Sequence, residues 1–69
     1  MGVHLRSYEV VFIWQDEETK KWNKDIFYFK SKRSQYSKIK REAMHYMQKK
    51  AQGLPLSKLR LINIKRLES

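Results

Sequence analysis

Apolar residues in this chain change their spacing near Ser31, and that switch leaves few folds open. Leu5 to Trp14 (LRSYEVVFIW) and Trp22 to Lys30 (WNKDIFYFK) are rich in β-branched and aromatic residues. Both read as strands. The polar stretch Gln15 to Lys21 (QDEETKK) lies between them and reads as the turn of an antiparallel hairpin. No Asn-Gly or Asp-Gly pins that turn. With the loop centred near Glu18, Trp14 and Trp22 are expected to face each other. Tyr8, Val10 and Phe12 then share a face with Ile26 and Tyr28. Val11, Ile13, Phe27 and Phe29 fall on the other, with Glu9, Asn23 and Asp25 among them.

From Ser34 to Gln52 the steps become three and four residues. Tyr36, Ile39, Ala43, Tyr46 and Met47 lie on one side at about 100° per residue, flanked by Met44 and Ala51. Ser31 or Ser34 offers an N-cap, Gly53 fits the C′ position, and Pro55 follows as a stop. After a short connection, Leu59 to Leu67 (LRLINIKRL) reads as a third strand. Strict alternation puts Ile62 and Ile64 on one face, Leu59 and Leu61 on the other. The expected fold is α+β in β-β-α-β order: a three-stranded, mainly antiparallel sheet with one helix on one face. The strands fall at about 5–14, 22–30 and 59–67 and the helix at about 34–52. The 69 residues fit one domain. One helix cannot cover both faces of a sheet, so the other face is expected to meet solvent or a partner.

Charge says what kind of partner. There are 16 Lys+Arg against 7 Asp+Glu, a net +9. Residues 1–29 carry four bases and five acids, and residues 30–69 carry twelve bases and two acids. All the excess therefore follows Phe29. Solubility is served by a charge of about 2–8, so a surplus packed into one stretch points to a polyanion. Three basic groups stand out: Lys30, Lys32 and Arg33 before the helix; Lys38, Arg41 and Lys49 on its outer side, with Lys40 and Lys50 at the edges; and Lys58, Arg60, Lys65 and Arg66 around the last strand. These are the expected phosphate contacts of a small, basic, non-catalytic nucleic-acid-binding module, for DNA or RNA.

Trp14 and Trp22, with Tyr8, Phe12 and Tyr28, would add a stacking platform for single strands. Duplex reading by the sheet would instead use Arg6, Asn23, Lys24 and Arg60. The alternative is a protein-interaction or inhibitory module that lays the apolar hairpin face on an acidic partner protein, with charge steering the encounter. A homodimer is compatible with both. The element order resembles that of integrase arm-site domains, of double-stranded RNA-binding domains lacking their first helix, and of certain basic ribosomal proteins. No motif of those families matches residue by residue, so no residue role is carried over.

Catalytic chemistry has few candidates. Cysteine is absent, which excludes disulfides and thiolate-held zinc. His4 lies in an N-terminal segment expected to fray. His45 has Arg41 and Lys49 four residues to either side, which oppose a metal. Asp16, Glu17 and Glu18 read as a solvated turn without a calcium-loop pattern. Gly2 is followed by Arg6 where a myristoylation motif needs Ser or Thr. No catalytic residue, metal or cofactor is expected, and the chain is read as a non-enzyme. No apolar run approaches the roughly 18 residues of a spanning helix, so no membrane role is expected, and a cytoplasmic protein is.

Overall fold

The computed structural model describes residues 5–67; His4 and Gly2 lie outside them. The elements are β1 (Arg6–Gln15), β2 (Trp22–Ser31), α1 (Tyr36–Lys50), a short 3-10 turn (Leu56–Lys58) and β3 (Leu59–Leu67). The protein is a small α+β domain with β-β-α-β order. The strand order is β2-β1-β3, and both outer strands run antiparallel to β1. Hence β2 and β3 run the same way, and α1 is the connection that carries the chain from one edge of the sheet to the other.

The hairpin turn decides which side chains share a face. Asp16 Oδ1 accepts the backbone N–H groups of Glu18 (2.8 Å) and Thr19 (3.0 Å). Lys20 takes a left-handed φ of 64°. The loop Asp16–Lys21 then closes with Asp16 N–H on the Lys21 carbonyl at 2.9 Å. This sets Gln15 opposite Trp22 and Trp14 opposite Asn23. The two tryptophans are therefore not cross-strand partners. A one-residue slip turns every side chain to the other face. Tyr8, Val10, Phe12 and Trp14 consequently share their face with Phe27 and Phe29, not with Ile26 and Tyr28.

A second departure lies in β3. The β1–β3 register shifts between Val11 and Phe12, so Asn63 opposes Val11, Leu61 opposes Phe12, and Ile62 is the extra residue of a bulge. The bulge resets the alternation. Leu59, Leu61 and Ile64 all reach the core side, while Ile62 is 56% exposed.

The core is made by Tyr8, Val10, Phe12 and Phe29 from the hairpin, Ile39, Ala43 and Met47 from α1, and Leu59 from β3. Tyr46 lays its ring against Phe29 (5.3 Å between centroids) and Phe27 (6.2 Å). Tyr36, expected in the stripe, is exposed because the helix starts there. Val10, Phe12 and Met47 are the largest fully buried side chains, each contributing about 1.5–3 kcal/mol by burial.

The helix ends also differ from expectation. Gln35 is the N-cap, with no side-chain cap, and neither Ser31 nor Ser34 serves. At the other end Ala51 is the C-cap. Gly53 N–H bonds the Gln48 carbonyl (2.8 Å) and Gln52 N–H the Lys49 carbonyl (3.2 Å). That is a Schellman closure with Gln52 at C′ and Gly53 one residue beyond. Both have positive φ, 56° and 80°.

Candidate functional site

With the register fixed, the sheet face turned away from α1 can be written out by rows. Lys24, Ile13 and Arg60 form one row; Ile26, Val11 and Asn63 the next; Tyr28, Glu9 and Lys65 the third; Lys30, Ser7 and Leu67 the last. Trp22 and Gln15 stand beside the first row at the turn end. Val11 and Ile13 lie on the central strand with Glu9 and Ser7, and the edge strands mix Lys24, Lys30, Arg60 and Lys65 with Ile26, Tyr28, Asn63 and Leu67. Tyr28 is 63% exposed, Ile26 42% and Trp22 40%. The Arg60 guanidinium lies over the Trp22 ring, 5.3 Å from its centroid. Glu9 is the one acid in these rows, and its carboxylate accepts the Tyr28 hydroxyl at 3.3 Å.

The helix side has a different chemistry. Lys38, Arg41, His45 and Lys49 are all exposed along α1. At its start, the connection from β2 is tied down by Glu42. Its Oε1 accepts the hydroxyl of Ser31 (3.1 Å) and the Nε–H of Arg33 (3.3 Å). Ser31 is 3% exposed and its hydroxyl oxygen takes the Arg33 backbone N–H at 3.0 Å. The Tyr8 hydroxyl donates to the Arg33 carbonyl at 3.5 Å.

The expected phosphate contacts thus fall on more than one side. Lys30, Arg60 and Lys65 belong to the open sheet face. Lys32 and Arg33 are in the β2–α1 connection, and Lys38, Arg41 and Lys49 are on α1. Lys58 is half-buried and donates to Gln15 Oε1 at 3.1 Å. Arg66 stands opposite Tyr8, on the helix-side alternation. The tryptophans are on opposite faces: Trp14 packs against the core with Ala51 and Leu54, and Trp22 stands on the open face. A joint two-tryptophan platform is therefore not formed.

Sequence reasoning put Val11 and Ile13 on one face but set Ile26, their actual neighbour, on the other. It also missed Glu42 as a clamp. A signal for the latter existed: Glu42 is the only acid between Lys30 and Leu67. Among the described residues no group of three or more His, Cys, Asp or Glu is placed to hold a metal ion, and no helix is long and apolar enough to cross a membrane. The Asp16 carboxylate is held below the usual range by the backbone N–H groups of Thr19 and Glu18. No family model, curated protein or solved structure matches the chain.

Proposed function

We propose that this chain is a non-catalytic protein-interaction module that lays its open sheet face on an acidic surface of a partner protein. The observation that carries this reading is the face itself: Val11, Ile13 and Ile26 in adjoining rows, with Lys24, Lys30, Arg60 and Lys65 along the two edge strands. Apolar side chains flanked by polar ones belong to the anatomy of a protein interface. Phosphates and sugars offer nothing to those aliphatic side chains. The face has four cations to one acid, so it favours an acidic partner and speeds encounter with it.

Size sets the class of complex. Three strands about 4.8 Å apart and about 30 Å long present roughly 400 Å² in projection. That is a small platform with a cationic edge, and it suits a transient, salt-sensitive complex. A photo-crosslinking residue at Ile26 or Ile62 is expected to trap an acidic protein, and one at Lys40 is not. Equal trapping from all three positions, or none from the sheet, would refute the reading.

A further inference from the structure

We propose that the outer side of α1 and the connection before it bind the phosphodiester backbone of a nucleic acid, on a surface that meets the sheet face only at Lys30. Two adjoining depressions form the track. One is lined by Lys30, Lys32, Arg33 and Lys38. The other is lined by Arg33, Lys38, Arg41 and His45. Arg33, Lys38 and Glu42 border both, so the two run into each other. Beyond the Arg41–His45 ridge a third depression is lined by Lys40.

Three features fit phosphodiester and not an acidic protein. First, the cations recur along the helix axis. From Lys38 to Lys49 the rise is about 16 Å at about 1.5 Å per residue. That spans about five nucleotides of one duplex strand at about 3.4 Å each. Second, the acid bordering the track is already engaged: Glu42 accepts from Ser31 and Arg33. Third, the apolar side chains that border the track, Leu5, Tyr46, Met44 and Leu56, are divided among its three depressions and not gathered into one row as Val11 and Ile26 are on the sheet. Long flexible cations without an apolar centre hold phosphate oxygens and read little sequence.

The test uses fluorescence anisotropy of the intact chain with a labelled oligothymidylate and a labelled mixed-sequence duplex, across a salt series. Contacts to four or five phosphates give a slope of log K against log salt of about −3 for the single strand and about −4 for the duplex. Two charge-reversal pairs, each lowering the net +9 by the same amount, separate place from charge. Lys38→Glu with Arg41→Glu is expected to flatten the slope by about 1.5–2. Lys24→Glu with Lys65→Glu, on the sheet face, is expected to leave the slope within about 0.5 of the parent. Circular dichroism confirms that each pair is folded. Two results would overturn the proposal: a helix pair that is folded and binds as the parent does, or a sheet pair that loses as much as the helix pair. Displacement of the oligonucleotide by polyglutamate at equal charge concentration would also overturn it, and would assign the track to acidic proteins. Because the sheet-face crosslinks are read separately, either proposal can fail alone.

Discussion

Phe12 is the residue on which the fold most depends. It is fully buried in the central strand, with Phe27 edge-on at 5.7 Å. Phe12→Ala removes the ring and leaves a cavity, at a cost of about 3–5 kcal/mol. The net stability of a chain this small, after burial is offset by chain entropy, rarely exceeds about 3–5 kcal/mol. The expected outcome is loss of cooperative thermal unfolding by circular dichroism; a variant that melts within a few degrees of the parent would contradict the packing described. Asp16 acts through the turn and titrates. Its folded pKa is depressed by the N–H groups it accepts, so the carboxylate stabilises the fold above the unfolded value of about 3.9. That contribution disappears as the pH falls through the folded value. Asp16→Asn keeps an acceptor oxygen but cannot titrate. Its urea midpoint is therefore expected to drop less than the parent's between pH of about 5 and about 2, and an equal drop would remove Asp16 from the account.

At the scale of elements, the β2–α1 connection is tied to α1 through the Glu42 carboxylate, with the Tyr8 hydroxyl on the Arg33 carbonyl beside it. Glu42→Ala leaves the buried Ser31 hydroxyl without its acceptor, which costs about 1–3 kcal/mol. Glu42→Gln keeps an acceptor and is expected to recover most of that loss in chemical denaturation. Equal losses in the two variants would mean that the charge on Arg33, not the hydroxyl, is what Glu42 serves. The same connection explains what could be read in advance. The element order was legible because the apolar spacing switches once and Gly53 and Pro55 mark the stop. The helix start was not, because Ser31 looks like a cap until Glu42 claims its hydroxyl. The hairpin faces were not, because the turn residues fix register through Asp16 and Lys20 φ, and one residue inverts the whole pattern. In β3, alternation misled because a bulge at Ile62 is invisible to it. Of the candidate surfaces, the charge was legible as composition. Its division between two sides was not, since that depends on register and helix phase together.

The whole molecule is thin. Its principal extents are 50 × 19 × 17 Å. A helix of 15 residues reaches about 22 Å, whereas a strand of 10 reaches about 33 Å. The sheet face and the outer side of α1 therefore lie across the short dimension. Ions screen over about 8 Å at physiological strength and about 30 Å at 0.01 M. In ordinary buffer the two surfaces are expected to act independently, and at low salt to feel each other's charge. Trp22 reports on this, because it stands on the sheet face with Arg60 over it. In a Trp14→Phe chain it is the one remaining tryptophan. Oligothymidylate held on the helix side does not touch that ring, so titration at physiological salt is expected to raise anisotropy while leaving Trp22 emission unchanged. Base stacking on Trp22 would instead quench it and be worth about 1–3 kcal/mol, lost again in Trp22→Ala. A saturable quench that tracks the anisotropy curve would place the nucleic acid on the sheet, and the division of labour between the two faces would be wrong.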